Sequence, residues 1–266
     1  MSVTIVIPAR YASTRYPGKP LAELRGASGV SRSLVRRSWD AAKTVAGVDQ
    51  VVVATDDTRI ADHCAEFGAE VLMTPETCRN GTERCAAALS QLPSDVEIVV
   101  NLQGDAPLTP HWFVENLVAA LKANPKSQVA TPVLRCDNKA LTGFQEDRRN
   151  GRVGGTTAVF DRAGRAMYFS KEVVPYTGKT FADDDEIPVF HHVGVYAYRP
   201  DALKRYIEWP EGHLERWEGL EQLRFMENGV PVECVEVTAN GQAFWELNNP
   251  VDVARIEAIL KEQGCE

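Results

Sequence analysis

The chain reads as an α/β protein built on a mostly parallel, Rossmann-like sheet. Three observations predict this. Short β-branched runs alternate with longer amphipathic stretches through the first half, the order that yields a parallel sheet covered by helices. Those runs are nearly continuous in apolar residues, as strands buried on both faces must be. Polar, glycine-containing segments follow two of the runs directly, where ligands bind beyond the carboxyl ends of strands. At 266 residues and 44% hydrophobic content, the chain is long and apolar enough to bury a large core without staples.

The elements follow in order. VTIVIP, Val3 to Pro8, is the first strand, and a polar loop containing Gly and Pro runs from Ala9 to Pro20. Ser31 to Thr44 is expected to be a helix, Gln50 to Ala54 a strand, Thr58 to Phe67 a helix and Glu70 to Met73 a short strand. Glu83 to Leu92 is helical, Glu97 to Leu102 (EIVVNL) a strand, Pro110 to Ala123 the helix behind it, and Val129 to Leu134 a further strand. The polar, Arg-containing stretch Asp137 to Gly155 is expected to be a mobile loop. Strands are expected at Thr156 to Asp161 and Val193 to Tyr198, with a short segment at Ala166 to Phe169. Thr177 to Pro188, with Asp183, Asp184, Asp185 and Glu186, reads as a solvated surface run. Asp201 to Trp209 and Glu218 to Asn228 are expected helices, Val230 to Val237 a strand and Pro250 to Gln263 the closing helix. Without a repeat or a clear linker, this is one domain over 1–266 with an inserted subregion near 135–200.

Several classes of function fall away. A net charge of −8 argues against a general nucleic-acid binder, which needs a basic surface. No run approaches the roughly 18 apolar residues of a membrane span, and the first residues lack the pattern of a secretory signal. Six cysteines without regular spacing read as free thiols of a reducing cytoplasm. Neither they nor the five histidines show zinc-ligand spacing. Trp112, Trp209, Trp217 and Trp245 are too dispersed for a base-stacking platform and read as packing residues.

Three segments carry chemistry. Residues 6–21, VIPARYASTRYPGKPL, place Arg10, Arg15 and Lys19 with Ser13, Thr14 and Gly18 directly after a buried strand. Cations and free backbone N–H groups in one loop can wrap a polyphosphate, although neither the Walker pattern nor GxGxxG is present. In NLQGDAPL, residues 101–108, Asp105 stands past a glycine at a strand end. It would hold Mg²⁺ together with substrate phosphates or cap the helix that follows. NGTER, residues 80–84, opens a helix whose N-terminus can meet an anion or a base carbonyl. Its Asn80 or Thr82 can equally be a plain cap.

Taken together, PARYASTRYPGKPL, ATDD at 54–57, NGTER and NLQGD resemble the CMP-Kdo synthetases, cytidylyltransferases that activate 3-deoxy-manno-octulosonate (Kdo) within the nucleotide-diphospho-sugar transferase type of fold. MYFSK at 167–171, HVGVYAYR at 192–199 and LEQLRFMENG at 220–229 extend the resemblance over nearly the whole chain. It implies CMP transfer from CTP to a sugar acid with release of pyrophosphate, Mg²⁺ as cofactor and a cytoplasmic homodimer. It implies further that Arg10, Ser13, Arg15 and Lys19 hold the triphosphate, with Arg15 and Lys19 stabilising the leaving group. Asn80, Gly81, Arg84 and Gln103 would lie at the nucleotide. Lys171, His192, Tyr196, Glu221 and Gln222 would line the acceptor pocket, and Asp105 and Asn248 would bind the metal.

Four positions depart from the family pattern. Asn248 stands where a second metal-binding Asp is usual, with Glu246 two residues earlier as a possible substitute. Cys78 and Asn80 replace a His and a Ser, Thr157 replaces a Lys, and Lys171 replaces an Arg. Arg to Lys exchanges a bidentate fork for a point charge. These changes leave three readings open: a Kdo-activating enzyme, a cytidylyltransferase for another acid (an amino-substituted Kdo, another ulosonic acid or a phosphonate), and a nucleotide-binding relative without turnover.

Overall fold

The computed structural model describes every residue except Thr14, Arg15, Gly154, Asp183, Asp184 and Phe244. The Arg15 assignment and part of the acidic run therefore lie outside the described residues. The first strand, β1, spans Ser2–Ala9. A small antiparallel ribbon follows, β2 at Glu23–Arg25 and β3 at Ser31–Ser33. Helix α1 covers Leu34–Lys43, so the expected helix at Ser31 begins three residues late. Ser33 ends the ribbon and caps α1, its Oγ accepting from Arg36 N, and a capping residue has extended rather than helical backbone.

Next come β4 (Gln50–Thr55), α2 (Thr58–Glu66, capped by Asp57), β5 (Glu70–Met73), α3 (Gly81–Ala88), β6 (Val96–Leu102), α4 (His111–Ala123) and β7 (Val129–Arg135). These match the expected elements within one to four residues. The expected mobile loop after Arg135 is instead helix α5, Asn138–Arg149. Asp137 caps it by accepting from Ala140 N. Only Leu141 and Phe144 on α5 are buried; they join Cys136, Ile187 and Val189 in a small separate core. Two apolar positions three apart give too thin a stripe to read as a helix.

Strands β8 (Thr156–Phe160), β9 (Ala166–Ser170), β10 (Phe190–His192) and β11 (Val195–Tyr198) follow, then α6 (Pro200–Glu208). The expected helix from Glu218 to Asn228 shrinks to α8, Leu223–Glu227, while α7, His213–Glu218, ends where it was to begin. Gly219 ends α7 with φ of 62°, a left-handed conformation that glycine adopts without strain. Glu221 and Gln222 consequently occupy a turn. Strand β12 (Val232–Val237) and helix α9 (Asp252–Gln263) complete the chain.

All but the ribbon strands join one ten-stranded sheet in the order β5-β4-β1-β6-β11-β7-β10-β8-β9, with β12 on the other edge of β7. Strands β1, β4, β5, β6, β7, β8 and β12 run one way, and β9, β10 and β11 the other. The mostly parallel α/β reading therefore holds. Two large cores cover the sheet faces, one on the Val3, Ile5, Ile7 side with Phe113 and Leu117 of α4, the other on the Val6, Val52, Val99 side with Tyr198 and Phe225. Each such side chain contributes about 1.5–3 kcal/mol on burial. No helix among the described residues is long and apolar enough to cross a membrane. Of the tryptophans, Trp112, Trp209 and Trp245 pack against the cores, whereas Trp217 is 77% exposed.

Candidate active site

A cleft of about 320 Å³ opens at the carboxyl ends of β1 and β6. Its walls are Arg10, Ser13 and Lys19 from the loop after β1, Arg79, Asn80, Gly81 and Arg84 around the start of α3, Gln103 and Asp105 after β6, and Glu221 from the α7–α8 turn. Nine residues singled out from the sequence thus come together from four distant segments: Arg10, Ser13, Lys19, Asn80, Gly81, Arg84, Gln103, Asp105 and Glu221.

Close backbone approach makes this possible. A Cβ on Gly104 would stand 2.6 Å from the Pro8 carbonyl oxygen, so only glycine lets the end of β6 lie against β1. A Cβ on Gly81 would meet the side-chain amides of Asn101 and Gln103 at 2.8 and 2.9 Å, so glycine also seats α3 on the end of β6.

Lys19 Nζ donates to Asp105 Oδ2 at 2.6 Å, with both side chains partly exposed. This pair sets a cation and a hard carboxylate side by side in the cleft. Arg84 is 2% exposed, and its guanidinium is engaged with Asp56 Oδ2 at 2.8 Å and Thr74 Oγ1 at 2.6 Å. It lines the cleft while bracing α3 against β4. The two acids of the ATDD motif are thereby explained, since Asp56 holds Arg84 and Asp57 caps α2.

Glu221 is the other carboxylate of the cleft wall. It accepts long bonds, from Thr82 N at 3.3 Å and Gln103 Nε2 at 3.4 Å. Burial pushes its carboxyl up to about 7, against the pull of the Thr82 and Gly81 N–H groups. Behind it, Tyr196 Oη donates to Gln222 Oε1 at 3.0 Å. His192 sits deeper, its ring nitrogens facing Thr131 Oγ1 at 2.9 Å and Thr156 Oγ1 at 3.1 Å, with burial pushing it down to about 3. His192, Tyr196 and Gln222 are all buried and support the wall rather than form its surface.

Lys171 also stays off the cleft lining. Its backbone N–H donates to Glu218 at 2.9 Å, and a Cβ on Gly219 would lie 2.8 Å from its ammonium. Thr157 is fully buried, donates to the Glu172 carbonyl at 2.6 Å and accepts from Val174 N at 3.1 Å. That hydroxyl fixes the turn after β9 and does not reach the cleft. Asn248 is brought near by a backbone bond, Leu247 N to Asp105 O at 2.8 Å, and its Nδ2 donates to Glu246 Oε2 at 3.4 Å. A Cβ on Gly194 would stand 3.6 Å from Glu246 Oε1 and 3.9 Å from Gln103 Cγ, which puts Glu246 beside Gln103.

Sequence reasoning missed Asn101, an amide fully buried on β6 whose Nδ2 and Oδ1 both lack a hydrogen-bond partner among the described residues. Its only signal was a polar residue inside EIVVNL. Arg79 was also missed; it lines the cleft and pairs with Glu83 at 2.6 Å. Among the described residues, no group of three or more His, Cys, Asp or Glu stands ready to hold a metal. Asp105 is the carboxylate of the loop after β6, and the Leu247–Asp105 backbone bond brings the Glu246–Asn248 segment up to that loop. This suits a hard cation that takes most of its ligands from substrate phosphates and water.

The family profile described as "Cytidylyltransferase" matches residues 4–236. The 3-deoxy-manno-octulosonate cytidylyltransferase of Maricaulis maris is 44% identical over 264 residues, covering 99% of each chain. The mitochondrial enzyme of the same name from Arabidopsis thaliana is 37% identical, covering 97% of this chain and 83% of that one. A solved CMP:2-keto-3-deoxy-manno-octonic acid synthetase complexed with CTP superposes with a TM-score of 0.83 at 31% identity, over 99% of this chain and all of the other.

Proposed function

Because this chain belongs to the cytidylyltransferase family, we propose that it transfers CMP from CTP to a 3-deoxy ulosonic acid, Kdo, and releases pyrophosphate. The observation that carries this reading is the cleft itself. Triphosphate-type residues (Arg10, Ser13, Lys19), a metal-type carboxylate (Asp105) and hydroxyl-binding groups (Gln103, Glu221) share one cavity. The relatives named above act on the same acid, and this favours Kdo over the other acceptors.

The chain's contribution is positioning and charge stabilisation. Lys19 and Asp105 pair at 2.6 Å. An entering triphosphate competes for the ammonium and frees the carboxylate. Lys19, with Arg10 and Arg15, then holds the β- and γ-phosphates and offsets charge on departing pyrophosphate. Asn80 and Gly81 present the N-terminus of α3 to the nucleotide. Glu221 and Gln103 orient the acceptor so that its anomeric hydroxyl attacks the α-phosphorus in line. Asp105, with Asn248 or Glu246, would hold Mg²⁺, which when bound supplies charge neutralisation and lowers the pKa of the attacking hydroxyl. Lys171 sets its ammonium at Gly219, at the base of the turn that carries Glu221, while Tyr196, Gln222 and His192 keep that wall rigid.

The working form is taken to be a cytoplasmic homodimer. Five buried, unbridged cysteines and one exposed cysteine suit a reducing compartment. The segment around Tyr176, which is 93% exposed, is the candidate contact between copies. The chain is read as a single nucleotidyltransferase unit in which 135–200 forms the inserted part.

The test is pyrophosphate release from CTP and Mg²⁺, with Kdo and without acceptor, for wild type and Asn248→Asp. Release that depends on Kdo supports the assignment. CTP binding without release, in both proteins and with any acid of a panel, overturns it in favour of a non-catalytic relative. Release with another acid but not with Kdo changes the acceptor.

A further inference from the structure

Behind the cleft lies a buried polar assembly that the reaction scheme does not use. Tyr206 on α6 is fully buried, and its hydroxyl stands between the two walls. It accepts from Asn80 Nδ2 at 3.1 Å, and its single proton is shared between the Glu221 carbonyl oxygen at 3.1 Å and Glu215 Oε1 at 3.3 Å. The orientation of the Asn80 amide follows from its other bond. Asn80 Oδ1 accepts from Glu83 N at 2.8 Å, so the nitrogen must face Tyr206. Burial raises the phenol above its ordinary range, and it remains a neutral donor at every working pH.

The phenol is itself held in place. Arg224, 1% exposed, lies 4.1 Å over its ring and donates to Glu215 through two nitrogens at 2.6 and 2.7 Å. A third nitrogen of Arg224 stands 3.1 Å from Glu83 Oε1, the acid that completes the start of α3. One hydroxyl, backed by a buried Arg–Glu network, therefore touches a residue of the nucleotide wall and the backbone of the residue that forms the acceptor wall.

We propose that Tyr206 is a positioning residue that sets Asn80 against Glu221, so that it supports nucleotide binding through one and acceptor binding through the other. The proposal rests on the reading of the cleft as a joint CTP and sugar-acid site. Removing only the hydroxyl releases the Asn80 amide and the Glu221 carbonyl while leaving the ring and its packing. Asn80→Ser removes the amide donor from the opposite side and keeps a helix cap, since Ser serves well there.

The experiment compares wild type, Tyr206→Phe, Asn80→Ser and the double variant. CTP affinity is read by calorimetry and the KM for Kdo by pyrophosphate release. Tyr206→Phe is expected to weaken CTP at least fivefold and to raise the KM for Kdo at least fivefold. In the Asn80→Ser background its effect on CTP falls below twofold, while its effect on Kdo persists. A general loosening of the fold would instead multiply through both backgrounds equally, and that result overturns the proposal. So does a Tyr206→Phe protein within twofold of wild type on both measures. If Tyr206→Phe does not fold, Asn80→Ser alone decides, and CTP binding within twofold of wild type overturns the proposal. A wild-type protein silent with both CTP and Kdo overturns the functional reading and the proposal with it, whereas an active wild type with an unaffected Tyr206→Phe overturns the proposal alone.

Discussion

Glu221→Gln should stabilise the protein at neutral and alkaline pH and have little effect in acid. Desolvation in the cleft wall raises the wild-type carboxyl to about 7 in the folded chain, against an ordinary value of 4.5. Below pH 4.5 both folded and unfolded states carry the proton, and the residue costs nothing. Between 4.5 and 7 the unfolded chain gives up its proton while the folded chain keeps it, so wild-type stability falls as pH rises. Above 7 the folded carboxyl ionises too and the loss levels off. A shift of this size corresponds to about 3 kcal/mol at 1.36 kcal/mol per unit. Gln has the same shape and does not titrate. Urea denaturation of both proteins from pH 4.5 to pH 8 should therefore show a difference that opens through that window and then stays constant, of order 3 kcal/mol. Comparing the two proteins cancels the other titrating groups. A difference that does not change with pH would refute the reasoning, and would mean that Glu221 is kept ionised by a bound cation or ordered water.

Further outcomes follow from other parts of the site. Asn101→Leu should raise Tm by several degrees, because an unpartnered buried amide costs about 1–3 kcal/mol and each kcal/mol moves Tm by roughly 2–4 °C in a chain near this size; a fall in a thermal scan would show that water holds the amide. Lys19→Ala should lower kcat on the order of 10²-fold, as loss of an electrostatic donor to the leaving group does, with steady-state pyrophosphate release as the measurement. Thr157→Val should destabilise the turn after β9 by about 1 kcal/mol, since it removes a hydrogen bond from the part-buried Val174 N–H. It should leave the KM for the acceptor within about twofold, because Thr157 does not reach the cleft, and thermal denaturation with steady-state kinetics reads both.

The parallel half of the sheet was legible because burial on both faces demands unbroken apolar runs, and β1, β4, β5 and β6 have them. The cleft was legible for the same reason: its loops are the polar segments that follow two of those strands. Helix α5 was hidden because only Leu141 and Phe144 are buried on it, and the helix depends on the Asp137 cap and a small core that includes distant Ile187 and Val189. The ribbon of β2 and β3 was missed because three-residue strands are too short to show alternation. The acceptor wall was only partly legible. Resemblance indicated Glu221, Gln222, Tyr196 and His192, but not that one carboxylate would face the cavity while the other three stand behind it. Asn101 had no periodic signal at all, since a single amide in an apolar strand looks like noise until its surroundings are known.

The break at Gly219 hangs one wall of the cleft on a turn of its own. Arg10, Ser13, Lys19, Gln103 and Asp105 hang from the sheet, and Asn80 and Arg84 from the start of α3, whereas Glu221 is carried by a turn between two short helices. Such a turn can be exchanged as a cassette. Exchanging residues 219–222 alone would change the Glu221 wall while leaving the loop after β1, Asp105 and the buried Glu215–Arg224 pair in place. On the proposed function, that arrangement would make the acid the more replaceable input and the nucleotide the more constant one.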